Sequence, residues 1–316
     1  MDNQDELFSA TARLLDPLQL QRFLAVFDLG NFARAAEATH VTQQAISKSI
    51  ARLEEQCGAK LFERGAFGAE PTEYGKALAR RAKIIVTESR LAQAELNALK
   101  GAAGGLIRVG FGWSFLPRIA PLVINRFRKR RPNVTLSIVS GQSASLFKRL
   151  ADGDVEFVAS APPPGIVIDE ALEATGLFQD SDVVVMRANH PLSESPIITL
   201  KDLAEQTWAI SLALHEQWRT ISQVFVAAGQ TPPQKIIDLD SPTLCKAMVT
   251  SGDCIAILGR EQAAAELESG AFKALERPDF QFLRNACYVV RRGAIAQPSA
   301  SLLKQDLFDV CREFYA

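Results

Sequence analysis

Histidine is scarce in this 316-residue chain, with three in total, and none stands in an HExxH or Cys/His pattern. That leaves no basis for a structural or catalytic zinc site, and neither a metal nor a cofactor is expected. Cys57, Cys245, Cys254, Cys287 and Cys311 are odd in number, widely spaced and without a CxxC. The pattern argues against a disulfide framework and fits thiols in a reducing cytosol. No run of eighteen apolar residues exists, so no membrane-spanning helix is expected. The opening Met1-Asp2-Asn3-Gln4-Asp5-Glu6 has neither a basic start nor an apolar core. It does not read as an export signal, so a cytoplasmic location is expected. A strong net charge is missing as well. At −1 overall, the balance taken alone speaks against a nucleic-acid partner.

The distribution of charge says more than its sum. Residues 18–100 hold twelve Lys or Arg against nine Asp or Glu, a local +3, and residues 1–17 carry −3. A modular binder needs positive charge only on its docking face. Within 18–75, Leu20, Phe23, Leu24 and Phe27 have the spacing of one helix face. Gly30 stops that helix and Asn31 caps a short, Ala-rich one over Ala33–Ala38. Thr42 then caps a third helix from Gln43 to about Gln56. Ile46, Ile50 and Leu53 form its inward stripe, and Gln43, Gln44, Ser47, Lys48, Ala51 and Arg52 lie outward. Such a face suits a DNA major groove: Gln and Ser reach base edges, and Lys reaches guanine or phosphate. Two helices joined by a short turn make a helix-turn-helix, with residues around 58–64 and 70–72 as the sides of a wing. Periodicity alone leaves open a plain three-helix unit with a solvated polar face.

The residue pattern decides between them. Asn31-Phe32-x-x-Ala35-Ala36, Val41-Thr42-Gln43-x-Ala45-Ile46-Ser47, Ile50-x-x-Leu53-Glu54, Gly58-x-x-Leu61-Phe62-x-Arg64 and Thr72-x-x-Gly75 occur in one order. The stretch resembles the DNA-binding domain of LysR-type transcriptional regulators. Thr42, Gln43, Gln44, Ser47, Lys48, Arg52 and Arg64 are its candidate DNA contacts. Gln44 stands where that family usually has proline, and Pro71 where it has leucine. Residues 65–69 lack the usual extra wing arginine, which implies weak wing contacts.

Thr72 caps a long helix reaching about Lys100. Leu78, Ile84, Ile85, Leu91, Ala92, Leu96 and Leu99 recur along it at near-heptad intervals. Such a stripe needs a partner helix, most simply from a second copy. The resemblance implies a dimerising linker at 76–101, ending in the joint Gly101–Gly105. It also implies a homodimer or homotetramer, and RNA polymerase as a further partner.

From Leu106 onward apolar strands alternate with helices, which predicts a parallel sheet. The expected strands include 106–111, 134–140, 155–160, 183–186, 208–211, 235–239, 255–258 and 286–290. Helices are expected at 115–130, 144–152, 221–228, 243–251, 261–269 and 299–314. Leu116-Pro117, Leu150-x-x-Gly153, His190-Pro191-Leu192 and Ser251-Gly252-x-x-Ile255-Ala256 resemble the effector-binding domain of the same regulators. The implied fold is an N-terminal all-α winged helix-turn-helix domain with a linker helix, then a C-terminal α/β two-lobed domain like type II periplasmic binding proteins. The expected divisions are a leader at 1–17, the DNA-binding domain at 18–75, the linker at 76–101 and the effector domain at 102–316. Lobe 1 would take 102–177 and 279–316, and lobe 2 178–278.

In open α/β sheets ligands sit beyond the carboxyl ends of strands. Trp113, Ser114, Gln142, Ser143, Ser160, Ser211 and Ser241 hold those positions and are the candidate effector contacts. Their hydroxyls and nearby backbone donors suit a small organic anion, with Trp113 as an apolar wall. Each hydroxyl taken singly also reads as a helix cap. The basic run Arg126–Arg131 reads as a solvated helix end. Cys245 and Cys254 are nine apart, yet the redox-sensing pair of some LysR-type regulators would align near Glu216 and Phe225, so redox sensing is not expected. An enzyme on the same fold would need a nucleophile–base pair or a metal, and it would leave residues 18–75 unexplained. A solute-transport receptor lacks its export signal. The reading is a DNA-binding regulator controlled by a small molecule.

Overall fold

The computed structural model describes residues 14–65, 68–99, 105–163, 165–210, 215–280, 282–294 and 296–315. Most of the expected leader, the joint at 101–104 and the candidate Ser211 lie outside the described residues. The chain divides into two compact units, Met1–Ala102 with Ala151–Asp154, and Ala103–Leu150 with Val155–Ala316.

The first unit opens with α1 (Pro17–Leu29), α2 (Phe32–Ala38) and α3 (Gln43–Cys57). Asn31 Oδ1 accepts from Ala33 N at 2.8 Å and Thr42 Oγ1 from Ala45 N at 3.2 Å, so each helix starts at its expected cap. His40, at φ 54°, turns the chain between α2 and α3. Strands β1 (Phe62–Gly65) and β2 (Gly68–Pro71) pair antiparallel as the wing. Leu20, Phe23, Val26, Ala35, Ile46, Ile50, Leu53 and Leu61 pack as one core.

Helix α4 (Glu73–Leu99) has 27 residues and at 1.5 Å each spans about 40 Å. Gly75 in its first turn is obligatory by contact. A Cβ there would stand 2.3 Å from the Leu61 carbonyl oxygen. Thr72 Oγ1 accepts from Gly75 N at 3.1 Å and donates to Lys60 O at 2.7 Å. The face that α4 buries within its own unit is separate from the stripe expected to meet a partner helix. Ala79, Ala82 and Val86 enter the core, because small residues let α4 approach α1 closely. Ile85 and Leu96 of the expected stripe stay exposed.

The second unit is α/β. Parallel strands β3 (Leu106–Gly112), β4 (Thr135–Gly141) and β5 (Phe157–Ser160) alternate with α5 (Ile119–Arg130) and α6 (Ser143–Ala151). The expected helix at 115–130 is split. Trp113–Phe115 forms a 3-10 turn and α5 begins only at Ile119, since Pro117 disfavours helix before it. Next come β6 (Leu172–Arg187), α7 (Leu200–Ala204), β7 (Thr207–Ile210), α8 (His215–Ala227), β8 (Lys235–Asp238) and α9 (Pro242–Ser251). The chain ends with β9 (Cys254–Gly259), α10 (Ala264–Glu268), β10 (Phe272–Leu275), β11 (Leu283–Arg291) and α11 (Pro298–Tyr315).

The all-parallel expectation is corrected here. Strands β7, β8 and β9 run parallel, but β6, β10 and β11 pair antiparallel. The expected 183–186 strand is the inner end of the 16-residue β6. Its earlier half is too polar to read as an apolar run: Glu173, Thr175, Gln179 and Asp180 lie there. Strands β6 and β11 pass between two sheet regions, β4-β3-β5-β11 and β9-β7-β8, each with its own core. The run at the end of α5 is partly tied down: Arg126 holds Glu313 with both nitrogens, and Arg130 pairs with Asp306, both on α11. The basic end is thus partly a packing device.

Candidate DNA interface and effector cleft

Helix α3 divides cleanly between core and solvent. Ile46, Ile50 and Leu53 are buried; Gln43, Gln44, Ser47, Lys48, Ala51 and Arg52 are exposed. Thr42 is exposed at the cap. Beside this face runs a groove of about 520 Å³, lined by Gln43, Ser47 and Ala51 of α3, Asn31 and Phe32 of α2's start, and Glu63 and Gly68 of the wing. Arg64 takes its expected place on β1, opposite Ala69, though the position of its side chain lies outside the description.

The wing is fastened to the end of α3 by a residue that the pattern marks without explaining. Glu54 is buried, and its Oε1 accepts from Leu61 N at 2.8 Å and Phe62 N at 3.4 Å. Its Oε2 meets Lys60 Nζ at 2.7 Å. Burial pushes this carboxyl up, but Lys60 and the two backbone donors together hold it below the usual carboxylate value.

In the α/β unit, two adjoining cavities of about 80 and about 50 Å³ share Trp113, Gln262 and Arg284 on their walls. The larger is lined by Asp182, Ala209, Ile210, Asp240 and Ser241, among others, and the smaller by Ser114, Gln142, Ser143 and Ser160. Trp113, Ser114, Gln142, Ser143, Ser160 and Ser241 therefore converge, as expected of strand ends in such a fold. Their hydroxyls are less free than anticipated. Ser241 caps α9, accepting from Leu244 N at 3.3 Å. Ser114 is buried and donates to Asp180 Oδ2 at 2.9 Å, and it sits in a 3-10 turn rather than at the start of a long helix. Ser143 and Ser160 hydroxyls lie 2.7 Å apart. Only one of that pair donates to the other, so one hydroxyl hydrogen is left for a ligand.

The ionic floor of the cleft was missed in the sequence. Arg284 Nη2 stands 2.8 Å from Asp180 Oδ2 and 2.9 Å from Asp182 Oδ1, and both acids are about 1% exposed. Asp180 Oδ1 also accepts from Ser181 N at 2.9 Å and Glu261 N at 3.3 Å. Gly259 makes room for this cluster, because a Cβ would fall 2.1 Å from Arg284 Nη2. The available signal was a pair of acids two apart in a strand, Asp180-x-Asp182. Gln262 was missed too, although it follows the end of β9 as the named candidates follow other strands.

The thiols are poorly placed for redox work. Cys245, Cys254, Cys287 and Cys311 are buried and all five cysteines are free. Burial, with a smaller contribution from Cys254, pushes the Cys245 thiol up to about 12, and burial pushes Cys287 to about 11. Phe225, at one of the aligned sensing positions, is a core residue. Among the described residues no cluster of metal-binding side chains occurs, and no helix is long and apolar enough to cross a membrane.

The description "Bacterial regulatory helix-turn-helix protein, lysR family" matches residues 18–76, and "LysR substrate binding domain" matches residues 100–312. The chain belongs to the LysR family of transcriptional regulators. A LysR-family relative, the SDS degradation transcriptional activation protein of Pseudomonas sp. (strain ATCC 19151), is 28% identical over 299 residues, 93% of this chain and 96% of that one. ArgP from Mycobacterium tuberculosis has the same fold, with a TM-score of 0.71 at 18% identity over 96% of this chain and 99% of that chain. Full-length CbnR, solved in complex with its target DNA, gives 0.62 at 20% identity over 94% and 100%. LysR regulators bind DNA and small-molecule effectors, and they are regulators rather than enzymes.

Proposed function

We propose that this LysR regulator grips promoter DNA through the exposed face of α3 and loosens or tightens that grip when a small, carboxylate-bearing organic molecule enters the cleft between its two lobes. Thr42, Gln43, Gln44, Ser47, Lys48 and Arg52 contact DNA in this reading, with Arg64 on the wing. The divisions are 18–75 for DNA binding, 76–101 for the linker and 102–316 for the effector domain. Lobe 1 comprises 102–177 and 279–316, and lobe 2 the segment 178–278. Partners are promoter DNA, a second copy in a dimer or a tetramer, and RNA polymerase, with no catalytic step. The observation that carries the effector half is the meeting of Gln142, Ser143, Ser160 and Arg284 at one small cavity. These supply polar hydrogens and a guanidinium to a carboxylate. A thermal-shift screen of small carboxylates on the full chain tests it, followed by anisotropy on promoter DNA. A hit whose effect on DNA survives in Gln142→Trp would place the effector elsewhere. Chemical turnover of the hit by purified protein would replace this reading with an enzymatic one.

A further inference from the structure

Ser143 and Ser160 meet at the smaller cavity, and the chain between them makes one hairpin-shaped excursion away from it. Helix α6 starts at Ser143, the turn Ala151–Asp154 follows, and β5 ends at Ser160. Nine helical residues on one arm and four strand residues on the other each span about 13 Å. The base is closed by the 2.7 Å contact between the two hydroxyls. The far end is closed by Arg291 of β11, whose Nη1 donates to Leu150 O and to Val155 O, both at 3.3 Å. Those two carbonyls flank the turn. Leu146, Leu150, Val155 and Phe157 are buried along the arms. Gly153, buried at φ 81°, closes the turn with a backbone that a side chain would strain, which gives the Leu150-x-x-Gly153 motif a physical reason. Bonds at both ends and buried apolar side chains between them make the excursion stiff.

The tip of this excursion does not group with the α/β unit. Ala151–Asp154 belongs with residues 1–102. There Asp152 Oδ2 stands 3.6 Å from Lys83 Nζ of α4, and the same ammonium lies 4.0 Å from Asp28 Oδ1 of α1. The Lys83 and Asp152 side chains are 23% and 21% exposed, against 56% for Asp28. Solvent and salt therefore screen the Lys83–Asp152 pair less than its neighbour. Lys83 directly follows Ala82 and precedes Val86 by one helical turn, and both of those pack into the core of the DNA-binding domain. A displacement of Asp152 thus acts on a residue seated beside that core.

We propose that Ser143–Ser160 is the lever that carries the effector's arrival to the DNA-binding domain, and that Lys83 receives its tip. This rests on the cleft being the effector site. A ligand bonded to Ser143 or Ser160 draws on the base of the excursion, and its stiffness turns that pull into a shift of Asp152 against Lys83. Contiguous rigid elements of this kind carry coupling between separated sites. The ligand changes DNA affinity by as much as it favours one position of Asp152 over another. Lys83 and Asp152 are positioning residues here, meeting neither DNA nor ligand.

The test is a charge-exchange cycle on the full chain, read as affinity for a duplex that the wild type selects from a random-sequence pool. Lys83→Glu and Asp152→Lys are each expected to change that affinity by about fivefold or more, the lower end of ordinary allosteric coupling. The doubly exchanged protein and Lys83→Arg are both expected to lie within about twofold of wild type. Unfolding midpoints show whether each variant folds. Should Asp152→Lys fail to fold, Asp152→Asn with Lys83→Met completes the same cycle. A Lys83→Glu defect that Asp152→Lys leaves unrescued, with the salt slope lowered by about one, makes Lys83 a phosphate contact and overturns the lever. Wild-type affinity in both single exchanges overturns it as well. The second arm uses whichever small carboxylate the thermal-shift screen finds. Its effect on DNA affinity is expected to shrink by at least about fivefold in Lys83→Glu. An effect equal in wild type and Lys83→Glu overturns the lever and leaves the cleft standing. An effect that survives Gln142→Trp removes the cleft, and the proposal then fails at its cleft end even where the exchange cycle shows rescue.

Discussion

Glu54 shows what a single residue does that its place in a motif does not reveal. It follows Leu53 on the core side of α3, where helical periodicity allots an apolar residue, and its partners are the backbone of Leu61 and Phe62, seven and eight residues on. Glu54→Gln is expected to cost about 1–3 kcal/mol, since a charge-assisted acceptor is replaced and the wing loses its anchor. The folded-state pKa lies below the ordinary carboxylate value, so the stabilisation is complete above about pH 4.3 and fades as pH falls through the lowered pKa. Unfolding midpoints of wild type and Glu54→Gln should therefore converge on acidification below that value, and a constant gap down to strongly acid pH would refute the assignment. On the DNA face, Gln43→Ala and Ser47→Ala should each lose discrimination between specific and random DNA, by about 1–3 kcal/mol where a bidentate base contact is lost. Gel shifts on both DNAs read this directly, and undiminished discrimination in both variants would move the contact surface off α3. The exposed face of α3 was legible because it obeys one helix's periodicity. Gln262, Arg284 and Asp182 were not, because only the folded sheet brings Asp182 onto one cavity with residues some 80 to 100 positions further on.

Elements were legible where one local rule governs them. Caps at Asn31 and Thr42 follow from single residues and their neighbours, whereas the break at Pro117 was passed over by the helix expected at 115–130. The first half of β6 was hidden because it is polar and mostly exposed, and its ladder partner, β11, lies far along the chain. Helix α4 meets its own unit on one face, where Ala79, Ala82 and Val86 pack closely through small side chains, and keeps Ile85 and Leu96 of the stripe expected to meet a partner helix outside that core. That outcome leaves Tyr74, Ile85 and Leu96 exposed on α4 and Leu14 and Leu18 exposed near α1. Large apolar residues left in water on one long helix are the expected mark of an interface with a second copy. Ile85→Glu is expected to shift the full chain toward monomer, because a charge in that interface would be buried without a partner. Sedimentation velocity at micromolar protein would show it. An unchanged dimer or tetramer in both Ile85→Glu and Leu96→Glu would place the association elsewhere.

At the scale of the whole effector domain, the question is what holds two lobes that are joined by β6 and β11. Arg118, just before α5 on the β3 side, supplies one answer. Its Nη2 lies 2.9 and 2.8 Å from the two carboxylate oxygens of Glu261, and its Nη1 lies 2.5 Å from Glu268 Oε1. Both acids follow β9 in the other sheet region, so the guanidinium bridges the lobes directly. The two arms differ in exposure: the Glu261 side chain is 9% exposed and that of Glu268 62%. Salt screens an exposed pair far more than a buried one. Glu261 also ties back to the cleft floor, since its backbone N–H reaches Asp180. Gln262, next in sequence to Glu261, lines both candidate cavities, so the bridge adjoins them, and a ligand bound there would shift DNA affinity only by its preference for one lobe arrangement. Arg118→Ala should speed amide exchange around Gly259–Glu268 and at the start of α5, with little change on α2 and α3. Removing only the exposed arm, by Glu268→Gln, should have a small effect that high salt erases. The same salt should leave most of the Glu261 arm intact. Equal protection of these segments in wild type and Arg118→Ala would mean that the lobes are held by their sheet crossings alone, and that effector closure works without this bridge.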